Sequence, residues 1–85
     1  MPETKPFVDP AGLRVRRTSR GWTLHDLSDE IALHDRDLDR TATTLSRYET
    51  GSRSVPPKMA RALAHIYRCS VRQLGTVPRV RVEER

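Results

Sequence analysis

Two signals near the middle of the chain set the limits of one short helix. Thr41 can begin it, because its hydroxyl can accept a hydrogen bond from a backbone N–H two or three residues further on. Gly51 can end it, since glycine readily adopts the left-handed backbone conformation that follows many helices. Leu45 and Tyr48 are three positions apart and therefore share one face. The sequence thus predicts a helix over about residues 42–50 with an apolar inner face and a small, polar outer face.

Similar signals divide the preceding part of the chain into two further helices. Asp9 can cap a first helix that starts at Pro10, where a missing N–H is harmless, and Gly21 closes this segment. Thr23 and Asp26 have the spacing of a capping box, which predicts the start of a second helix. Apolar residues one turn apart continue that helix to about residue 33.

Residues 34–40, with the sequence HDRDLDR, separate the second helix from the helix over 42–50. The segment has a single apolar residue, Leu38, and its charges alternate in sign. Either the second helix continues with Leu38 on its inner face, or an irregular loop spans the gap. The low apolar content favours a loop or a frayed turn.

The clearest periodicity in the chain predicts a fourth helix after Pro56 and Pro57. Its apolar stripe recurs at helical spacing and consists of Met59, Leu63, Ile66 and Tyr67. Ser70 and Gln73 then have the spacing of another capping box, which predicts a last short helix through Leu74. Five helices joined by short links predict an all-α fold, a compact five-helix bundle.

Length and composition allow a single domain. The chain has 85 residues, of which 35% are hydrophobic and 32% are charged, enough for one modest core. We expect a flexible arm over residues 1–8 with Phe7 packed onto the domain, a folded domain over 9–75 and a short tail over 76–85. After Pro78 the tail alternates valine and arginine, so it is either an extended, disordered segment or a strand added across a dimer.

The charge of the chain favours an anionic partner. Its formal net charge is +5 and its pI is near 10.3, which permits such binding without proving it. Residues 24–50 contain three Lys/Arg and seven Asp/Glu, a net charge of −4, so the segments on either side together carry +9. The basic surface is therefore built from both flanks.

The sequence gives little support for catalysis, metal binding or membrane insertion. His25 with Asp29, and His65 with Cys69, have i, i+4 spacing, but two ligands without a third make a poor metal site. Cys69 is the only cysteine, so no internal disulfide can form. No apolar run approaches the roughly 20 residues that span a bilayer, and the first residues lack the apolar core of a signal peptide. We expect a cytoplasmic protein that is not an enzyme, uses no cofactor and does not contact a membrane.

Four stretches resemble the Cro and lambda-repressor family of helix-turn-helix proteins: RGWT, LSDEIA, TATTLSRYETGSRSVP and MARALAHIYRCSVRQL. The similarity covers about residues 13–74 and is most specific where a polar cap is followed by Ser-Arg, an aromatic residue, Glu and then Gly. It implies a five-helix, lambda-repressor-like domain in which the second helix crosses the phosphate backbone. The helix over 42–50 would then enter the major groove of double-stranded DNA as the recognition helix.

The resemblance also implies roles for individual residues. The base-contacting side chains would be Ala42 against a thymine methyl, Thr43 against several bases and Arg47 against two guanine acceptors. Arg17, which has an inward position on the first helix, would pair with Glu49 of the recognition helix. Phosphate contacts are expected from polar residues around the helix starts and the turn that follows: Thr23, Thr41, Thr44, Ser52 and Arg53.

Two features depart from the family pattern. Leu24 stands where the family usually has a glutamine that reaches the DNA backbone, which removes one phosphate contact. The link over 34–40 is longer than the family's tight turn and contains three aspartates: Asp35, Asp37 and Asp39. Their charges would oppose DNA binding unless they point away or pair with Arg36 and Arg40.

The resemblance implies a small, sequence-specific transcriptional regulator of a prokaryote or its phage, similar to a Cro-like repressor. It would bind double-stranded DNA as a homodimer and associate with the nucleoid. The competing interpretations are a protein-interaction module on the same fold, such as an antitoxin or an adaptor, and a recombination-directing accessory factor. An interaction surface should show exposed aromatics or leucines on the outer face of residues 41–50, and the sequence places none there.

Overall fold

Four α-helices form the folded part of the chain in a computed structural model that describes residues 7–77. They are α1 (Pro10–Thr18), α2 (Leu24–His34), α3 (Ala42–Thr50) and α4 (Pro57–Ile66). A 3₁₀ turn, Arg72–Gly75, follows α4, and residues 7–77 contain no β-strand, which confirms the all-α prediction. None of these helices is long and apolar enough to cross a membrane. The predictions for residues 1–6 of the arm and 78–85 of the tail, including the dimer strand, lie outside the described residues.

The prediction of a fifth α-helix is wrong. Ser70 and Gln73 do exchange the two bonds of the predicted capping box, at 2.8 Å to the Gln73 side chain and 3.1 Å to the Ser70 hydroxyl. The backbone bonds that follow join residues three apart, which is 3₁₀ geometry. Gly75 then lies against Phe7, whose carbonyl oxygen would be 3.1 Å from a β-carbon at Gly75. A single 3₁₀ turn therefore stands where the fifth α-helix was predicted, and its last residue lies beside the N-terminal segment.

Local bonds begin α1 and α2, and a left-handed glycine ends α3, where the sequence predicts them, whereas α1 ends at Thr18, a few residues before Gly21. Asp9 caps α1 by accepting from the Gly12 N–H at 3.1 Å. Thr23 and Asp26 make both bonds of the capping box at the start of α2, at 3.0 and 2.9 Å. Gly51 ends α3 with a φ of +82°, a conformation that costs a residue with a β-carbon about 1–2 kcal/mol.

A single apolar core joins all four helices. Ile31 of α2, Leu45 of α3 and Leu63 of α4 are almost completely buried in it. The other buried members of this cluster are Leu13, Leu27, Tyr48, Val55, Met59, Ala60, Ala64, Tyr67 and Leu74. Ile66, which belongs to the predicted stripe of α4, is only partly buried. Because α3 packs against both α1 and α2, its inner face is fixed on two sides.

An irregular loop over residues 35–41 joins α2 to α3, as the low apolar content predicts. The Asp35 N–H donates to the Ile31 carbonyl at 2.7 Å and completes the last turn of α2. The Asp35 carboxylate then accepts from the Asp37 N–H at 3.0 Å, which turns the chain away from the helix axis. Leu38 packs partly buried against the core and holds the middle of the loop.

The N-terminal segment closes against the 3₁₀ turn. The Asp9 N–H donates to the Leu74 carbonyl at 2.8 Å. Gly12 approaches Thr76 so closely that a β-carbon there would lie 2.5 Å from the Thr76 carbonyl oxygen, so this position requires glycine. Phe7 is 71% exposed, and its predicted packing onto the domain is therefore limited to the contact beside Gly75.

Two leucines of α2 test this arrangement of the core. Leu27 is 3% exposed and Leu33 is 83% exposed. We expect Leu27→Ala to lower the free energy of unfolding by about 2–5 kcal/mol, because it removes buried contacts and leaves a cavity. Leu33→Ala, the same change on the same helix, should alter it by less than about 0.5 kcal/mol. Urea unfolding followed by circular dichroism measures both, and equal losses would mean that α2 turns a different face to the core.

Candidate nucleic-acid interface

α3 has one face fixed in the core and another open to solvent. Leu45 and Tyr48 are 1% and 3% exposed, which sets the rotation of the helix about its axis. Ala42, Thr43 and Arg47, the three predicted base contacts, are all exposed. The Arg47 carbonyl accepts from the Thr50 hydroxyl at 3.3 Å, while its side chain remains in solvent. The structure thus brings the three predicted base contacts onto the solvent side of one short helix.

An ion pair between Arg17 and Glu49 joins α1 to the last turn of α3. Arg17 Nε donates to Glu49 Oε2 at 2.7 Å, and Arg17 Nη2 donates to Glu49 Oε1 at 3.0 Å. This is the two-point contact in which a guanidinium matches both oxygens of a carboxylate. Arg17 Nη1 also donates to the Trp22 carbonyl at 2.7 Å. The two side chains are only 13% and 7% exposed, so the Glu49 carboxylate is withdrawn from the outer face of α3.

Electrostatics favour the charged form of Arg17 in this position. Its hydrogen bond to Glu49 raises the pKa of Arg17 above the ordinary value, although burial lowers it. The charge of Glu49 also raises this pKa.

Two other arginines of this segment also make contacts within the protein. Arg16 donates to the Gln73 carbonyl at 2.8 Å, and Arg20 lies 4.9 Å from the centre of the Tyr67 ring. Part of the basic charge near α1 therefore secures the fold.

Four of the five predicted phosphate contacts are exposed, and Thr44 is the exception. Thr44 is 5% exposed, and its hydroxyl donates to Asp39 Oδ2 at 3.0 Å. It lies one turn before Tyr48 and therefore on the inner face of α3. A buried hydroxyl that is already bonded within the protein cannot reach a phosphate, so the prediction for Thr44 is wrong. The exposed four are Thr23, Thr41, Ser52 and Arg53.

The turn after α3 folds back on the helix and leaves its basic group outside. The Arg53 N–H donates to the Arg47 carbonyl at 3.3 Å. The Arg53 guanidinium lies 5.9 Å from the centre of the Tyr48 ring, and the side chain remains 48% exposed. Ser52 is also exposed, with its hydroxyl 2.9 Å from that of Thr50. This turn can therefore present a cation and a hydroxyl next to the end of α3.

Two aspartates of the α2–α3 link pair with basic residues that lie outside it. Asp35 is 3.6 Å from Lys58 of α4. Asp39 is 3.8 Å from Arg53. One of the two expectations was that the link's carboxylates pair with its own arginines, Arg36 and Arg40. Among residues 7–77, no such ion pair forms. Two of the link's three carboxylates are instead paired with basic residues of the segments that follow α3.

The contacts of Asp39 with the start of α3 were not predicted from the sequence, which indicated only that its charge would oppose DNA binding. Its Oδ1 accepts from the Thr41 N–H at 3.3 Å and lies 3.2 Å from the Thr41 hydroxyl. The signal was an aspartate two residues before a helix cap, a spacing at which the side chain commonly bonds to the backbone. Leu24 stands where the family usually has a glutamine that contacts a phosphate. In this structure Leu24 is partly buried and packs against the core.

The two residue pairs with metal-ligand spacing, His25 with Asp29 and His65 with Cys69, do not belong to a larger ligand group in the described part of the chain. Within residues 7–77, no group of three or more His, Cys, Asp or Glu side chains could hold a metal ion. His25 and Asp29 lie 3.8 Å apart on the surface of α2, with side chains 85% and 68% exposed. Cys69 is a free, partly buried cysteine.

Comparison with known proteins gives one match. The sequence model of a family described as a helix-turn-helix domain matches residues 11–75. No curated protein and no solved structure matches the chain significantly. The matched span runs from α1 to the 3₁₀ turn, so it includes the exposed face of α3, the ion pair behind it and the link.

The contribution of the ion pair can be measured with Glu49→Gln. This change keeps the size of the side chain but leaves the mostly buried charge of Arg17 without its counter-ion. We expect the free energy of unfolding to fall by about 2–3 kcal/mol, somewhat less than for a completely buried pair. Glu30→Gln on α2 is the matched control, since Glu30 forms no ion pair within residues 7–77. Denaturant unfolding compares the two variants, and equal stabilities would contradict a structural role for the pair.

Proposed function

This chain belongs to the helix-turn-helix domain family, and from that membership we propose that it is a sequence-specific transcriptional regulator that binds double-stranded DNA. The observation that carries the proposal is the outer face of α3, where Ala42, Thr43 and Arg47 are exposed together. An α-helix fits the major groove of DNA, and small side chains in its first turn allow the backbone to approach the base edges. In this proposal α3 is the recognition helix.

Each exposed side chain of α3 suits a different contact with a base. The methyl group of Ala42 packs against the methyl group of thymine, and the Thr43 hydroxyl bonds to any of several bases. The planar guanidinium of Arg47 matches the two acceptors on the major-groove edge of guanine, so Arg47 provides the largest discrimination. Glu49 would repel phosphates from this face, but its charge is neutralised by Arg17.

Exposed polar groups near the ends of α2 and α3 position the recognition helix without distinguishing bases. Thr23, together with the first N–H groups of α2, is proposed to hold one phosphate, since a helix N-terminus attracts anions. Thr41 at the start of α3, and Ser52 and Arg53 after its end, hold further phosphates in the proposed complex. All four side chains are exposed in the structure, which supports this assignment.

A homodimer on a two-fold DNA site suits a domain of this size. The recognition helix has 9 residues and reaches only a few base pairs. A second copy supplies a second half-site, and half-sites about one helical turn apart, roughly 34–36 Å, are the geometric expectation. The proposed mode of action is that of a Cro-like repressor, and a recombination-directing accessory factor would use the same contacts.

A protein-interaction role, as in an antitoxin or an adaptor, has one observation in its favour. Leu33 of α2 is 83% exposed, and exposed apolar side chains are common where another protein binds. The two large apolar side chains of α3, Leu45 and Tyr48, are buried, so the outer face of α3 offers no such surface. A partner at Leu33 would therefore occupy a different helix from the one proposed to contact DNA.

Selection of bound fragments from random duplex DNA, at a stated salt concentration, tests the proposed function. A sequence-specific regulator should enrich one motif, with two related half-sites if it binds as a dimer. An adaptor or antitoxin that does not bind DNA should enrich none. Absence of any enriched motif would contradict the proposal.

Substitution of two arginines separates base contact from phosphate contact. Arg47→Ala should weaken binding to the selected site by about 1–3 kcal/mol and relax the preference at one base pair. Arg53→Ala should weaken binding to all duplexes similarly and reduce the slope of log K against log salt concentration by about one. Fluorescence anisotropy titrations at several salt concentrations measure both effects. The same response from both variants would show that the two roles are wrongly assigned.

A further inference from the structure

Asp39 connects the start of the recognition helix to the turn beyond its end. Its Oδ1 bonds to the N–H and the hydroxyl of Thr41, at 3.3 and 3.2 Å. Its Oδ2 accepts from the Thr44 hydroxyl at 3.0 Å and lies 3.8 Å from Arg53 Nη1. One carboxylate therefore contacts the cap of α3, its first turn and the basic residue that follows Ser52.

This carboxylate carries its charge at neutral pH. The hydrogen bond from the Thr41 backbone lowers the pKa of Asp39, as do the hydroxyls of Thr44 and Thr41 and the charge of Arg53. A negative charge beside the first turn of a helix is favoured by the helix dipole. The same position would also attract a DNA phosphate, so Asp39 and a phosphate compete for the same surroundings.

Arg53 is the basic group that this competition affects most. Its guanidinium rests near the Tyr48 ring, at 5.9 Å, and near Asp39, at 3.8 Å, while 48% of the side chain remains exposed. A phosphate can therefore reach Arg53, but the nearby Asp39 carboxylate offsets part of the attraction between the guanidinium and the phosphate. Any DNA, whatever its sequence, meets this offset in the same way.

The other two aspartates of the link do not share this position. Asp35 pairs with Lys58 of α4, at 3.6 Å, and its Oδ1 is bonded to the backbone of the link. Asp37 contributes its backbone N–H to that bond, and its side chain is exposed. Asp39 alone among the three contacts both α3 and a proposed phosphate-binding residue.

We infer that Asp39 is a specificity-determining residue, which limits the affinity for non-specific DNA by neutralising Arg53 while it orients the first turn of the recognition helix. The inference rests on the proposed DNA-binding function. The effect of Asp39 on the charge of Arg53 applies to every duplex. The order that Asp39 gives to the first turn of α3, by contrast, also positions Ala42 and Thr43, and those two residues favour only the duplex whose bases they contact.

Removal of this charge should therefore reduce discrimination between sequences. Asp39→Asn should tighten binding to a random-sequence duplex by about three- to tenfold near 0.1 M salt, and should steepen the salt dependence by about one charge. The selected duplex should gain less, because an asparagine amide has one acceptor oxygen and cannot accept from both Thr41 and Thr44 as the two carboxylate oxygens do. The ratio of specific to non-specific affinity therefore falls.

Two comparisons make the measurement decisive. Asp37→Asn removes the same formal charge from the same link and should change non-specific affinity by less than about twofold. In an Arg53→Ala background, Asp39→Asn should have a clearly smaller effect than in the wild-type background, because the basic group that it releases is gone and only its own charge beside α3 is removed. If Asp39→Asn does not fold, Asp39→Ser takes its place in both comparisons, because serine keeps one oxygen that can accept from the Thr41 N–H. Thermal unfolding monitored by circular dichroism shows whether each variant is folded.

The outcomes separate this inference from the proposed function. If the wild-type chain selects a DNA motif but Asp39→Asn behaves like Asp37→Asn, Asp39 has no special effect and the inference is overturned. It is overturned equally if the gain is as large without Arg53 as with it. If the wild-type chain binds no duplex at any salt concentration, the proposed function fails before any variant is compared.

Discussion

The two-point contact between Arg17 and Glu49 determines which face of α3 is available to a partner. Arg17 lies on the inward side of α1, where an unpaired guanidinium would be costly, and the Glu49 carboxylate satisfies it. A buried ion pair adds little net stability compared with apolar residues of similar size, so its main contribution here is orientation. The pair fixes the end of α3 against α1, and Leu45 and Tyr48 fix its rotation. The outer face of the helix follows from these constraints.

Much of the fold could be predicted from the sequence because it depends on local bonds. The caps at Asp9, Thr23 and Thr41 and the left-handed Gly51 involve residues a few positions apart, and residue type and spacing reveal them. The capping box of Ser70 and Gln73 is present, but the backbone bonds that follow it have 3₁₀ spacing. A capping box indicates where a helix begins and does not specify how many turns follow it.

The candidate site also has features that could be predicted from the sequence and features that could not. Periodicity predicted the exposed positions of α3, since they lie opposite Leu45 and Tyr48. It did not predict the burial of Thr44, because the hydroxyl's partner is Asp39, in a link whose path no hydrophobic period specifies. The ion-pair partners of the link are likewise set by tertiary packing, and local charge alternation suggested different ones.

The separation of the two faces of α3 has a practical consequence. Ala42, Thr43 and Arg47 lie outside the buried apolar core and outside the ion pair that holds the helix. Exposed substitutions of this kind usually change stability by less than about 0.5 kcal/mol. Under the proposed function, these three positions can therefore be changed to alter the preferred DNA sequence while the scaffold stays the same, and an engineer can randomise them with little risk to folding.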